Sequence, residues 1–326
     1  MLSTLLSPVV LFFALGVFAA LLRSPMSVPQ SFAKGLAIYL MMAIGLKGGV
    51  EMSQTALSGQ VFAVFGVATL LSFGLPFLAY FALRKTSGLS RIDAAATAGH
   101  YGSISIVTFV AGIEALRMAG LPTSGYLVAI AAIMETPAII TALWLALRGR
   151  KNDTASASEI DRGELSREIL LNASVVVLIG GLFIGAIAGK DDFEKLAPFF
   201  TAPFQGVLCL FMLDMGLNAG RGLRRGWKSL GVPPILFGIY MPLIGAAIAA
   251  AFSAAMSLPA GDMALLMILS ASASYIAVPA AMRLALPESN PSVYLTLSLG
   301  ITFPFNIAFG IPLYIASASW VVGVLS

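Results

Sequence analysis

Charge is what this chain most lacks. Asp, Glu, Lys and Arg make up 10% of its 326 residues, against 59% hydrophobic side chains. Soluble domains carry about 25% charged residues, so the chain cannot clothe a water-exposed surface and reads as an integral membrane protein. Histidine and cysteine occur once each, as His100 and Cys209. Zinc, haem and iron–sulfur centres need about two to four N or S ligands on one ion, so that chemistry is excluded and no such cofactor is expected. A lone cysteine forbids an intrachain disulfide, and Cys209, inside an apolar run, reads as packing. With one histidine and no legible catalytic dyad, an enzyme is not expected. The net charge of +4 does not point to nucleic acid, because the basic residues fall in short clusters between apolar segments, as topology determinants do.

What is present is a series of long apolar runs. A helix crossing the hydrocarbon core needs about 20 apolar residues, and cutting at charge, Pro/Gly and Ser/Asn clusters predicts ten segments: 5–22, 34–50, 60–83, 92–118, 124–147, 169–188, 200–219, 231–257, 260–286 and 292–324. The first is not expected to be a signal peptide, since its first positive charge, Arg23, follows the apolar stretch. Loops one, three, five, seven and nine then hold 15 of the 19 Lys and Arg residues, the even loops only Lys47, Arg117, Lys190 and Lys195. By the positive-inside rule both termini are extracytoplasmic. The polar stretch Arg148 to Glu168 is then a cytoplasmic linker, dividing the chain into 1–148, a linker 149–168, and 169–326.

Five segments per half require related halves to be inserted in opposite directions. Local matches recur in order: Gly45-Leu46-Lys47-Gly48-Gly49 with Gly216-Leu217-Asn218-Ala219-Gly220; Leu116-Arg117…Leu121-Pro122…Tyr126-Leu127 with Met282-Arg283…Leu286-Pro287…Tyr294-Leu295; Pro76 with Pro242; and Pro137 with Pro304. The expectation is an all-α integral membrane protein of about ten transmembrane helices in a 5+5 inverted repeat, a transporter architecture, with the fourth and ninth helices broken.

The breaks are expected where small polar residues interrupt long spans: Gly99-His100-Tyr101-Gly102-Ser103-Ile104-Ser105 and Ser270-Ala271-Ser272-Ala273-Ser274-Tyr275, followed by Pro279. Non-helical backbone in a membrane persists only where protein buries it or a polar cavity adjoins it. Two converging half-helix N-termini would suit a small anion. Close helix packing is the alternative reading of such small residues, and their pairing across the repeat favours a site. Glu135 is an intramembrane carboxylate beside Thr136-Pro137. Sodium ligand, proton acceptor and protonated hydrogen-bond partner are the roles open to it. Thr302 and Asn306 occupy the equivalent region of the second half. His100 is a cavity-lining candidate, and Asp214 reads as structural, snorkelling or paired with Arg221.

At these residues the sequence resembles the sodium-dependent bicarbonate transporter family over nearly its whole length. The likeness is carried by Gly99-His100-Tyr101-Gly102-Ser103-Ile104-Ser105…Thr108, Met134-Glu135-Thr136-Pro137-Ala138, Ala271-Ser272-Ala273-Ser274…Pro279, Pro287…Asn290-Pro291-Ser292, Ile301-Thr302-Phe303-Pro304 and Ile311-Pro312. The resemblance implies gate and core domains, elevator-like movement, a homotrimer in the inner membrane, and a cytoplasmic regulator related to PII proteins. It also implies bicarbonate and Na⁺, the coupling ion, bound near the crossing broken helices; the residues of this sequence read as substrate-binding are Gly102, Ser103, Ser105, Ser272, Ser274 and Tyr275, and those read as cation-binding are Thr108, Glu135, Thr302 and Asn306. The sequence departs from the family where Ile106-Val107-Thr108 replaces a Gly-Ser-Thr-like stretch, and where Tyr275 follows Ser274 in place of the acidic residue that ends a Ser-Ser-Ser-Asp-like run. Another small organic anion, carried with sodium or protons, is therefore the alternative substrate, and a non-transporting ligand sensor is the alternative class.

Overall fold

The computed structural model describes residues 7–54, 58–148 and 173–325. These are helical almost throughout, with no strand among the described residues. In chain order the helices are α1 (Pro8–Leu21), α2 (Gln30–Ser53), α3 (Gly59–Thr86), α4 (Arg91–His100), α5 (Ile106–Met118), α6 (Tyr126–Ile133), α7 (Pro137–Leu147), α8 (Ala173–Phe200), α9 (Phe204–Leu230), α10 (Val232–Ala255), α11 (Ala260–Ala271), α12 (Ala277–Ala285) and α13 (Pro291–Val324). Each of the ten expected segments carries helix. The linker expected at 149–168, residues 5–6 of the first segment and 169–172 of the sixth lie outside the described residues.

Taken singly, α2, α3, the run Tyr126–Leu147, α10 and α13 are long and apolar enough to cross a membrane. Val175–Phe200 with Phe204–Arg224, bent by 51°, makes a sixth candidate. This is fewer than the ten spans expected, because the fourth and ninth segments are divided into half-helices that are too short alone, α1 is only 14 residues long, and the bent pair takes the sixth and seventh segments as one candidate. Large apolar side chains stand on the outside of the helical body, with Phe183 61%, Ile187 85% and Trp320 70% exposed. Water penalises such a surface and lipid accepts it.

Local chemistry sets the boundaries. Gly231 alone separates α9 from α10, at φ 69, a backbone geometry that glycine adopts without a Cβ penalty. Prolines in the first turn of α10 then start the next helix, where a missing N–H costs nothing. Gly189, at φ 71 and ψ −172, breaks the helical backbone of α8 where the sixth segment is expected to end, and helix resumes through Phe200 where a loop is expected.

Two long pairs form one side of the molecule: α2 lies along α8, and α1 along α9. Both contacts are built on glycine. A Cβ at Gly49 would collide with the Leu182 carbonyl, and one at Gly216 with the Phe13 carbonyl. Small residues of this kind let helix backbones approach closely where apolar burial offers no drive between helices in lipid. On the other side, α3 packs on α4 and α4 on α7, while α10 packs on α11 and α11 on the last part of α13. The pairing order of the first half thus recurs in the second.

Two carboxylates tie the halves together. Asp93, in the first turn of α4, accepts from the backbone N–H of Asn290 (2.7 Å), the residue that caps α13. Asp262, in the first turn of α11, accepts from the Ser124 N–H (2.7 Å), the Ser124 hydroxyl (2.7 Å) and the Tyr126 hydroxyl (3.0 Å), just before and within α6. Each broken segment is therefore clasped to the opposite half's last segment.

Replacing Gly216 with leucine is expected to abolish the monodisperse folded species on size-exclusion chromatography in detergent. Gly222→Leu on the same helix, where a Cβ meets nothing within 4 Å, is expected to leave it intact.

Candidate functional site

The first break begins where α4 ends at His100. Residues 101–105 leave the helix, and Ser105, at φ −98 and ψ 112, caps α5 by accepting from the Thr108 N–H at 3.2 Å. Proline shapes the surroundings. Pro76, inside α3, has no N–H to offer the Ser72 carbonyl one turn before it. Gly102 fits into that groove: a Cβ there would lie 2.5 Å from the Pro76 ring and 2.6 Å from the Ser72 oxygen. In the second half Pro242 leaves the Gly238 carbonyl without its helical donor, and the Thr302 hydroxyl donates to it at 2.7 Å. The Tyr101 hydroxyl lies 2.8 Å from the same Thr302 oxygen.

The second break runs from Ser272 to Ile276, between α11 and α12, and crosses the first. The Ser105 N–H donates to the Ser272 hydroxyl oxygen at 2.9 Å, and that hydroxyl donates to the Leu269 carbonyl at 2.7 Å. The Ser274 N–H donates to the His100 carbonyl at 2.8 Å, and the His100 ring Nδ1 bonds the Ser274 carbonyl. Helix ends leave carbonyls and N–H groups unpaired. Here the carbonyl that ends α4 and the N–H of the residue that caps α5 are both satisfied by the second break. The Ala271 carbonyl, at the end of α11, accepts from the Asn306 side chain at 2.8 Å.

The fifth segment is also interrupted, which the sequence reading did not anticipate. α6 stops at Ile133 and α7 starts at Pro137, so Glu135 sits in a turn between helices. The Met134 carbonyl in that turn accepts from the Ser72 hydroxyl at 2.7 Å. Glu135 is 2% exposed, and its Oε2 has no hydrogen-bond partner among the described residues. Together with Ile104, Ser105, Ile106, Ser274, Tyr275 and Ile276 it lines a narrow pocket, packed too tightly in this structure to hold a water molecule. Ser105 and Ile106 begin α5, and Ile276 precedes α12, which has no side-chain cap. The pocket is thus bounded by two positive helix ends and one carboxyl group.

The sequence-predicted residues divide into three sets. Ser105, Ser274, Tyr275 and Glu135 line the pocket. Ser103 and Thr108 are buried beside it in sequence, with hydroxyl oxygens that have no partner among the described residues. Gly102, Ser272, Thr302 and Asn306 instead brace the crossing through the contacts just described. The Tyr275 ring stands edge-on to Phe303 at 5.3 Å, and its hydroxyl has no hydrogen-bond partner among the described residues. Asp214 accepts from the Asn218 side chain at 3.2 Å. No group of three or more His, Cys, Asp or Glu able to hold a metal ion occurs among the described residues. The oxygens gathered here are hydroxyls, carbonyls and one carboxyl, the donor class hard cations take.

The clasps Asp93 and Asp262 were missed by the sequence reading. Their signal was the recurrence of an acid in the first turn of both broken segments, close to the repeat register.

Substituting Ser272 with alanine removes the hydroxyl that receives the Ser105 N–H and leaves that donor unpaired, while the Leu269 carbonyl keeps the Ser272 backbone N–H at 3.1 Å. A loss of about 1–3 kcal/mol is expected, read as a lower unfolding temperature in detergent, with Ser272→Thr close to the parent.

A family model described as the Na⁺-dependent bicarbonate transporter superfamily matches residues 8–319, nearly the whole chain. No curated protein matches it.

Proposed function

We propose that this chain, which belongs to the Na⁺-dependent bicarbonate transporter superfamily, is a secondary active transporter that imports bicarbonate or a similar small anion across the inner membrane with sodium. The observation that carries the reading is the pocket where the two breaks cross, bounded by two helix N-termini and by Glu135. The helix ends and the hydroxyls of Ser103, Ser105, Ser274 and Tyr275 supply the donors an anion needs, so no buried Lys or Arg is required. Glu135, with Thr108 close in sequence to the first break, serves the cation. In this reading Gly102, Ser272, Thr302 and Asn306 act through the crossing they brace.

The energetics require such a pairing. An anion entering against an inside-negative potential climbs about 2.3 kcal/mol per charge per 100 mV, so accumulation needs at least one cation moved with it. A carboxyl beside the anion-attracting helix ends lets one pocket handle both charges.

We further propose ten spans in a 5+5 inverted repeat. Joining α4 with α5, α6 with α7, and α11 with α12 restores the expected count. The recurrent pairing of α3 on α4 and of α10 on α11, and the reciprocal clasps of Asp93 and Asp262, support the repeat. The distribution of Lys and Arg supports extracytoplasmic termini and a cytoplasmic 149–168. A homotrimer, with a PII-related regulator on the cytoplasmic side, is the assembly proposed from the family.

Tyr275 and Ile106 favour a second reading. Both narrow the pocket, and a differently shaped organic anion is the substrate if they exclude bicarbonate.

The purified chain in proteoliposomes, given an inward sodium gradient, is expected to accumulate labelled bicarbonate and to release it when the gradient is collapsed. Folded protein that moves none would exclude bicarbonate and direct the assay to other small anions, and binding without flux would make the chain a sensor. In the same assay Ser105→Leu and Ser274→Leu are expected to abolish uptake at parental expression, because each fills the pocket. Glu135→Gln, which keeps the side chain's size, is expected to raise the sodium concentration for half-maximal uptake by about tenfold or more, a loss of roughly 1.4 kcal/mol in cation binding.

A further inference from the structure

The crossing depends on a side chain to which the transport reading gives no role. His100 is the last residue of α4 and is fully buried. Its carbonyl accepts from the Ser274 N–H, and its ring Nδ1 meets the Ser274 carbonyl. One residue of the first break therefore engages both backbone polar groups of one residue of the second, 174 positions away. Ser274 cannot rotate about its own backbone without breaking at least one of these bonds. Its side chain and the adjoining Tyr275 are thereby aimed at the pocket they line.

The partner's chemistry fixes the form of the ring. A carbonyl oxygen only accepts, so Nδ1 must carry the hydrogen. Nε2 has no hydrogen-bond partner among the described residues. A second proton there would be a buried donor with nothing to receive it, and burying an unpaired charge is expensive. The ring plane is set from a third element, because His100 stacks on Tyr294 of α13 at 4.7 Å between centroids and 27° between planes.

We infer that His100, as a neutral Nδ1–H imidazole, is the positioning residue that locks the Ser274 peptide and so presents Ser274 and Tyr275 to the substrate. Its effect on uptake rests on the proposed transport function, whereas its tautomer does not.

The chain contains one histidine, so protein grown with ¹⁵N-labelled histidine and held in nanodiscs yields a single pair of ring-nitrogen resonances. A protonated Nδ1 and an unprotonated Nε2 at neutral pH are expected, the reverse of the Nε2–H form that predominates in free histidine. An Nε2–H ring would overturn the proposal. A second arm compares His100→Asn, which keeps an N–H donor near the Nδ1 position, with His100→Leu, which has similar bulk and no donor. Losing a buried hydrogen bond of this kind costs about tenfold or more in rate or affinity. The leucine variant is therefore expected to raise the apparent KM for sodium-driven bicarbonate uptake by that factor, with the asparagine variant near the parent. Equal KM values for the two variants would overturn the positioning role. If the leucine variant does not fold, a parental KM in the asparagine variant supports the role and a KM raised about tenfold in it overturns it. Should the parent carry no bicarbonate, the substrate reading fails while the ¹⁵N spectrum still decides the tautomer.

Discussion

A peptide group buried away from water must find a hydrogen-bond partner inside the protein, and the centre of this molecule is organised around that requirement. Breaking a helix exposes carbonyls on one side and N–H groups on the other. Here two broken segments are laid across each other so that the His100 carbonyl takes the Ser274 N–H and the Ser272 hydroxyl takes the Ser105 N–H. Neither break is satisfied without the other. The polar centre of an apolar body is in this sense a single structural unit contributed by both halves of the chain.

The same requirement explains the prolines and polar side chains around it. Pro76 and Pro242 each remove a helical donor one turn above a carbonyl, and what occupies the opening differs: the bare backbone of Gly102 in one half, the Thr302 hydroxyl in the other. Asn306 closes the end of α11, and Ser72 closes the turn that carries Glu135. These groups hold the frame. Ser103, Thr108, Glu135 and Tyr275 are among the buried side chains with an oxygen that has no partner among the described residues. The distinction between bracing and binding is one of hydrogen-bond accounting, since a buried polar atom without a partner is costly unless a ligand completes it.

The electrostatic design of the pocket follows from the same geometry. Half-helices that start at the crossing bring positive ends to it without a basic side chain, and the interrupted fifth segment brings a carboxyl. The chain belongs to the Na⁺-dependent bicarbonate transporter superfamily, and the proposed site sets positive helix ends beside a carboxyl group. The clasps of Asp93 and Asp262 hold each broken segment against the far half, so the crossing is supported from both of its ends.

The sequence by itself determined the solvent, the element type and the places to look. Sparse charge and long apolar runs required a membrane and helices, and small polar interruptions marked 99–105 and 270–275 as weak points in helical segments. These are local properties, set by composition and short-range spacing. The tertiary structure decided which oxygens remain free, because that depends on partners far away in sequence. Ser272 and Ser274 look alike in the chain, yet the hydroxyl of one bridges two half-helices and the other faces the pocket. Thr302 and Asn306, candidates for a cation by position, are occupied by Gly238 and Ala271. His100 acquires its role only from a carbonyl 174 residues on, a contact that no local pattern encodes.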